Sequence, residues 1–273
     1  MDLRIDSKVT LNNGVEMPRL GLGVFKAGSP RDTRSAIRWA LDAGFRHIDT
    51  APMYGNEKDV GAAVRESGLA RDEIFVTTKV YEAAGYDATR KAFDASLKEL
   101  DIDYVDLYLI HWPNVERVAC WKAMEEYLAE GKCRAIGISN FTIRHVSAFL
   151  EAVDVVPAVN QVEFSPFLFQ KELLEFCHAR KIQLEAYSPL TRWRRLDDSR
   201  VVAVAKECGC TPGQVLIRWA LQHGLVVIPK SSRKERIEEN AGVFDFPIDS
   251  EQIAVLDSLN EDFRVCPNPE DLP

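Results

Sequence analysis

Short runs of Val, Ile and Leu alternate along the chain with longer stretches in which apolar and charged residues mix. The short runs have the length and composition of strands buried on both faces, and the longer stretches have the length of helices. This alternation predicts a parallel sheet that is covered by helices. The eight candidate strands are residues 20–23, 46–49, 74–79, 104–110, 135–139, 158–162, 182–186 and 226–228.

Helical periodicity supports the intervening stretches. Apolar residues recur at the spacing of one helix face, as at Ala36 and Ala40. Thr211 followed by Pro212 predicts a cap and a first-turn proline, and Gly131 is placed to end a helix. The predicted helices are residues 35–41, 87–100, 116–130, 213–223 and 250–259.

Eight strands that are each followed by a helix give the count of a closed (β/α)8 TIM barrel, a fold of about 250 residues. Before this pattern, Asn12-Asn13-Gly14 separates the short segments 9–11 and 15–17, which predicts an N-terminal β-hairpin that caps one end. No Pro-, Gly- or Ser-rich linker divides the sequence, so we predict a single domain over residues 1–273. A doubly wound open sheet is the alternative if one strand is miscounted.

Composition narrows the function. Hydrophobic residues make up 46% and charged residues 28% of the 273 residues, which is ample for a globular core. The formal net charge of −8 and the pI of about 5.3 argue against a broad nucleic-acid surface. A local basic cluster can still hold a small anion in an acidic protein.

The sequence also indicates a compartment. No stretch approaches the roughly 20 apolar residues of a membrane helix, and residues 1–10 contain no apolar signal core. The six cysteines are scattered, and the close pair Cys208 and Cys210 has no second pair to complete a zinc site. We therefore expect a cytoplasmic protein with reduced thiols and with no nucleic-acid or membrane partner.

Candidate catalytic groups collect at the predicted strand ends, which form one mouth in a barrel of this type. Asp49, Lys79 and His111 end three consecutive strands, and Tyr54 follows Asp49 by five residues. Each alone has an ordinary explanation as a solvated charge, a packed loop ring or a half-buried histidine. Together at consecutive strand ends they form an uncommon combination. Later strand ends carry Ser139, Asn140, Asn160, Gln161, Tyr187, Ser188, Lys230, Ser231 and Ser232.

These four side chains suit acid–base catalysis on a carbonyl. Phenol and ammonium groups have ordinary pKa values near 10, too high for efficient catalysis at neutral pH. An ammonium beside the phenol is expected to lower the pKa of Tyr54, with Asp49 holding Lys79 in place. Tyr54 would then protonate the alkoxide formed by hydride addition, and His111 would orient the substrate oxygen. General acid catalysis of this kind contributes about 10²–10⁴-fold.

Several segments resemble motifs of the aldo-keto reductase family, in order and over most of the chain. They are GFRHIDTA (44–51), YGNE (54–57), LYLIHWP (107–113), GISNF (137–141), NQVE (160–163), AYSPL (186–190) and IPKSS (228–232). The chain is most similar to small monomeric microbial members, of the 2,5-diketo-D-gluconate reductase and prostaglandin F synthase-like type. The resemblance implies a monomeric barrel that reduces small-molecule aldehydes and ketones to alcohols with NADPH, without a metal.

The resemblance also assigns roles to residues. Tyr54 becomes the proton donor, Lys79 and Asp49 tune it, and His111 orients the carbonyl. Tyr187 would stack on the nicotinamide ring. Further contacts of NADPH or NADP⁺ implied by the family are Gly23, Val24, Asp49, Ser139, Asn140, Gln161, Ser188 and Leu190.

The segment after the eighth strand indicates which cofactor is used. Lys230, Ser231, Ser232 and Arg236 lie within seven residues, close to a predicted helix start. Cations, hydroxyls and helix N-terminal amides suit a phosphate group, which favours NADPH over NADH. A solvated basic helix start is the alternative. The family pattern adds Glu239 and Asn240 as contacts of the adenine.

Two further segments concern ligand binding. Arg192, Arg194 and Arg195 surround Trp193 after the seventh strand; we hypothesise that they clamp the pyrophosphate or attract an acidic substrate, the alternative being a solvated loop. The family often has Leu-Trp where this chain has Val80-Tyr81, so its substrates do not transfer. The expected pocket wall consists of Phe25, Tyr54, Tyr81, His111 and Trp112, with the tail around Phe263. The shortness of the tail predicts an open pocket.

Two other functions are compatible with single features. An NADPH-binding sensor would keep the fold without turnover, but all four catalytic positions are filled. A metal-dependent barrel hydrolase would use His47 and Asp49 on one strand face, with His111, Glu163 and Glu185 as further ligands. The hydrolase leaves Tyr54, Lys79 and the basic segment unexplained, and no metal is expected.

Overall fold

The eight predicted strands form one parallel ladder. The computed structural model describes residues 3–81 and 85–273. In chain order the ladder strands are β3 (Leu22–Gly23), β4 (His47–Asp49), β5 (Phe75–Val80), β6 (Val105–Ile110), β7 (Cys133–Ser139), β8 (Val159–Glu163), β9 (Gln183–Tyr187) and β10 (Val226–Ile228). Each strand pairs in parallel with the next one along the chain.

The two edge strands meet, which makes the sheet a barrel. Parallel bridges join Leu20 to Val227 and Gly23 to Lys230. The predicted first strand, 20–23, is shorter in the structure, because only Leu22 and Gly23 pair with β4. A Cβ on Gly21 would lie 2.6 Å from His47 Nδ1 inside the barrel, so a larger residue does not fit at this position. The (β/α)8 prediction is therefore confirmed, and the open sheet is excluded.

The predicted hairpin is also present. It consists of β1 (Lys8–Thr10) and β2 (Glu16–Pro18), which pair antiparallel. Leu11 and Met17 are buried in one cluster with residues of β5 to β8 and β10, including Phe75 at the start of β5. The hairpin therefore closes the end of the barrel where the strands begin, which leaves the other end open for a site.

Ten helices lie in the described residues, and most of their apolar side chains pack in the large outer cluster. They are α1 (Pro30–Asp42), α2 (Glu57–Glu66), α3 (Gly85–Leu100), α4 (Arg117–Ala129), α5 (Ile143–Leu150), α6 (Lys171–Ala179), α7 (Ser199–Cys208), α8 (Pro212–Gln222), α9 (Lys234–Ala241) and α10 (Ser250–Asp257). In the described part of the chain no helix has the length and hydropathy that crossing a membrane requires.

The helix boundaries follow from capping. The helix predicted at 35–41 begins earlier, at Pro30, because Ser29 and Asp32 form a capping box. The predicted cap at Thr211 is confirmed, since its hydroxyl accepts from the Gln214 N–H. The short helices α2, α5, α6 and α7 were absent from the prediction, and only the start of α9 was expected, because eight to ten residues give little periodicity to detect.

Candidate active site

Three of the four predicted catalytic groups line one cavity at the carboxyl end of the barrel. Asp49 ends β4, Tyr54 lies on the short helical turn Pro52–Tyr54, and His111 directly follows β6. Their cavity has a volume of about 910 Å³. Lys79, near the end of β5, lies just beneath the cavity floor and has no exposed surface. The expected convergence of these four groups is therefore found in the structure.

The Lys79 ammonium connects the acid and the phenol. It donates to Asp49 Oδ1 at 2.8 Å, to Asp49 Oδ2 at 2.7 Å and to the Thr50 carbonyl at 2.9 Å. It also lies 3.4 Å from the Tyr54 hydroxyl oxygen. Burial lowers the pKa of Lys79, but the Asp49 carboxylate and the other neighbours outweigh burial and raise it. The lysine therefore stays charged in the floor of the site.

The net pKa of Tyr54 differs from the sequence-based expectation. Burial raises it to about 12, and the Asp49 carboxylate also raises it, although Lys79 acts in the expected downward direction. The expectation of a lowered pKa was wrong because sequence does not show how deeply a loop tyrosine is buried. At neutral pH the phenol is protonated, which is the form that donates a proton.

His111 is an uncharged hydrogen-bonding group. Burial and the nearby Lys79 charge lower its pKa to about 2. Among residues 3–81 and 85–273 its buried Nδ1 has no hydrogen-bond partner, which leaves Nε2 as the ring nitrogen that can reach the cavity. The ring centroids of Tyr54 and His111 are 5.9 Å apart. A substrate oxygen between these two side chains can therefore meet both.

A hydrogen-bonded group forms the next part of the cavity wall. The Tyr187 hydroxyl donates to Asn140 Oδ1 at 2.7 Å, and Asn140 Nδ2 donates to the His111 carbonyl at 2.9 Å. Ser139 Oγ donates to the Gln161 carbonyl at 2.8 Å. Ser139, Asn140, Gln161 and Tyr187, the predicted contacts of the nicotinamide, are thus neighbours. Of the other predicted cofactor contacts near this end, Gly23, Asp49, Ser188 and Leu190 line the cavity, whereas Val24 is fully buried behind it.

A second, smaller cavity lies next to the first. It has a volume of about 350 Å³ and shares Trp193 and Lys230 with the large cavity. Its other lining residues are Ser231, Ser232, Arg233 and Arg236. Among the described residues that line it, all the charged ones are cations, as the sequence-based prediction of a phosphate site requires.

Glu239 lines neither cavity and instead contacts a cation of the smaller one. Its carboxylate accepts from Arg236 Nη1 at 2.9 Å and from the Thr211 hydroxyl at 2.6 Å. The Arg236 guanidinium also lies 4.9 Å from the centre of the Trp193 ring. Asn240 is buried and does not line either cavity. The arginine is therefore held in place from two sides.

The three arginines around Trp193 have different surroundings. Arg192 lines the large cavity, and one of its nitrogens lies 2.9 Å from Cys266 Sγ. Arg195 turns away to Glu261 at 2.7 Å and to the Phe263 ring. Arg194 is exposed. Only Arg192 is thus placed to face a ligand in the cavity, so the hypothesis of a three-arginine clamp was too broad.

The expected pocket wall is present, and the tail completes it. Phe25, Tyr81 and Trp112 all line the cavity, and Phe25 packs on Tyr54 with ring centroids 4.9 Å apart. Phe263 does not line it, and its ring contacts the Arg195 guanidinium instead. Lining residues that the sequence did not indicate are Lys26, Met53, Pro113, Asn114, Val115, Glu116, Pro189, Ile228, Cys266, Pro267, Asn268, Asp271 and Leu272.

The candidate metal ligands have other partners. Glu163 accepts from the backbone N–H groups of Val265 and Cys266 at 2.7 and 3.0 Å, so it anchors the tail. His47 bonds Thr77 Oγ1 inside the barrel. Within residues 3–81 and 85–273, no three His, Cys, Asp or Glu side chains are grouped so that they could hold a metal ion.

Comparisons with known proteins identify the family and the fold. A family model described as the aldo/keto reductase family matches residues 19–261. A glyoxal reductase of Bacillus subtilis is 46% identical over 100% of this chain and 99% of its own length. A 9,11-endoperoxide prostaglandin H2 reductase of Trypanosoma cruzi is 46% identical over 96% of this chain and 94% of its own. The crystal structure of the aldo-keto reductase MGS-M4, from a deep-sea metagenome library, superposes with a TM-score of 0.94 at 41% identity and covers 98% of this chain and 100% of that one.

Proposed function

Because the chain belongs to the aldo/keto reductase family, we propose that it reduces aldehydes and ketones to alcohols with NADPH, using Tyr54 as the proton donor. The single observation that carries this proposal is the position of the Lys79 ammonium, which bonds Asp49 and lies 3.4 Å from the Tyr54 hydroxyl at the cavity floor. We further propose a cytoplasmic monomer that acts on small molecules, with residues 1–273 as one domain.

The shape and charge of the two cavities fit NADPH. The large cavity and the cationic cavity are adjacent and share Trp193 and Lys230 in their walls, so an extended dinucleotide would lie across both. Arg236, oriented by Glu239 and Trp193, is placed to bond a phosphate in a charge-assisted manner. Ser139, Asn140, Gln161 and Tyr187 would hold the nicotinamide end. When bound, NADPH supplies the hydride.

The chain's own residues handle the proton. Tyr54 donates its phenolic proton to the substrate oxygen as that oxygen becomes negative. Lys79 then stabilises the phenolate through its short approach to the hydroxyl oxygen, and Asp49 keeps Lys79 in this position. His111, which is neutral, donates a hydrogen bond from Nε2 and fixes the direction of the carbonyl.

The test measures NADPH consumption with a panel of aldehydes and α-dicarbonyls. Tyr54→Phe should lower kcat by about 10²–10⁴-fold, because it removes the proton donor and leaves the ring. Tyr81→Phe is the matched control, since Tyr81 lines the same cavity on the other side of His111 and should lose less than threefold. Equal effects of the two variants would contradict the role of Tyr54.

Binding distinguishes the alternatives. NADPH should quench the protein fluorescence, because Trp193 lies between the two cavities. Quenching without turnover of any carbonyl would favour an NADPH-binding sensor. If NADPH causes no quenching and no carbonyl is turned over, the cofactor site is refuted.

A further inference from the structure

One buried carboxyl next to the catalytic floor has no part in the mechanism above. Glu185 lies in the middle of β9 and has no exposed surface. Its neighbours along the strand, Leu184 and Ala186, are apolar and belong to the outer core. An acidic side chain in this position is costly unless its contacts compensate.

The contact that compensates is with Gln161, which faces Glu185 on the adjacent strand. Gln161 Nε2 donates to Glu185 Oε2 at 2.8 Å and to Asp49 Oδ2, also at 2.8 Å. A glutamine amide has two N–H groups, so the two carboxyl groups together occupy both. Asp49 alone would occupy only one.

The other end of the same amide remains available. Gln161 lines the large cavity, and within the described residues its Oε1 has no hydrogen-bond partner. A flipped amide would place this oxygen against the Asp49 carboxylate, which is unfavourable. The two carboxyl groups therefore orient the Gln161 amide so that its carbonyl oxygen, and not an N–H group, faces any ligand in the cavity.

Four charged or titratable groups from three elements surround Glu185. Asp49 and His47 face it from β4, Lys79 from β5 and Tyr54 from the loop after β4. Burial and the Asp49 carboxylate raise the pKa of Glu185 to about 8, and His47, 3.6 Å away, is neutral because burial lowers its pKa to about 3. At neutral pH Glu185 thus accepts from Gln161 without adding a second negative charge.

We propose that Glu185 is a positioning residue for the nicotinamide end of the site. It fixes the amide of Gln161 so that Oε1 accepts an N–H of the nicotinamide carboxamide. This role rests on the proposed function, because it requires a cofactor with that carboxamide.

The experiment compares two ligands in three proteins. Isothermal titration calorimetry at pH 7 measures the affinity of wild type, Glu185→Met and Glu185→Gln for NADPH and for 2′,5′-ADP, which has the 2′-phosphate but no nicotinamide. Met matches the length of the side chain without an acceptor, so NADPH should bind roughly tenfold more weakly while 2′,5′-ADP is unaffected. Gln keeps an acceptor and should bind both ligands as wild type does.

A double variant tests whether Glu185 acts through Gln161. If it does, adding Glu185→Met to Gln161→Leu should cause no further loss of NADPH affinity. Additive losses would overturn the proposal, as would wild-type NADPH affinity in Glu185→Met or equal loss of both ligands in that variant. If wild type itself binds neither ligand, the proposed function fails first, and the role of Glu185 fails with it.

Discussion

Lys79→Met should separate the structural task of the lysine from its catalytic task. The ammonium has no exposed surface and bonds both oxygens of Asp49. Removing one partner of a buried ion pair leaves the other charge unpaired, at a cost of about 3–5 kcal/mol. Since 1 kcal/mol shifts the unfolding temperature of a domain of this size by about 2–4 °C, we expect Lys79→Met to unfold roughly 6–20 °C below wild type.

The double variant Asp49→Asn/Lys79→Met removes both charges and should regain part of this stability. It should not regain activity, because Tyr54 still lacks the cation 3.4 Å from its hydroxyl oxygen. We expect kcat of both variants to fall by about 10²–10⁴-fold. Thermal unfolding and NADPH consumption measure the two effects. The reasoning is refuted if Lys79→Met unfolds at the wild-type temperature, or if the double variant unfolds below the single one.

Three further predictions follow from other contacts. Arg236→Ala should weaken NADPH binding about tenfold or more and leave NADH binding unchanged, because it removes a charge-assisted bond to the 2′-phosphate. Calorimetry measures both affinities. The control is Lys234→Ala, on the same helix but outside the cavity, which should show no such change. Glu185→Gln should change the pH dependence of the free energy of unfolding. The raised pKa means that Glu185 holds a proton in folded wild type that the unfolded chain releases, so its contribution to stability is full below about pH 4.5 and decreases by a few kcal/mol up to about pH 8; urea titrations should find a shallower slope in the variant. Glu163→Gln should loosen the tail and raise KM several-fold without changing kcat, because one of two backbone hydrogen bonds is lost. The control is Glu172→Gln, which is exposed on α6. Equal protease resistance of the tail in the two variants would contradict the role of Glu163.

The barrel could be predicted because its strands are buried on both faces. After one charged residue near its start, each of β6 and β7 continues as a run of buried, mostly apolar residues, and such runs stand out from the mixed helical stretches. β3 is the exception, because two residues suffice for its pairing with β4. Its boundary therefore depended on contacts with β10, about 200 residues later in the chain, which no local pattern contains.

The strand-end residues of the site were predictable for a related reason. Once the strands are parallel and closed, their ends must meet, so Asp49, Lys79 and His111 had to share one mouth. The contribution of the tail was not predictable. Cys266 and Leu272 follow the last helix without periodicity, and contacts from distant parts of the chain hold them at the cavity: Glu163 accepts from the Cys266 N–H, and Arg144 donates to the Leu272 carbonyl. Glu163 itself carried a signal, as a charged residue at the end of a strand.

Burial explains the one chemical expectation that was wrong, and it also sets the resting protonation states of the site. At neutral pH the phenol of Tyr54 is protonated and His111 is neutral, so the mouth offers two uncharged donors above a buried ion pair. A neutral carbonyl substrate therefore contacts uncharged donors there and displaces no water from a charged side chain. As the carbonyl oxygen becomes negative in the proposed reduction, the Lys79 ammonium would stabilise the phenolate that remains, so the stabilisation would grow toward the transition state. Because burial keeps Tyr54 protonated at neutral pH, the phenol would need no prior proton uptake before it donates.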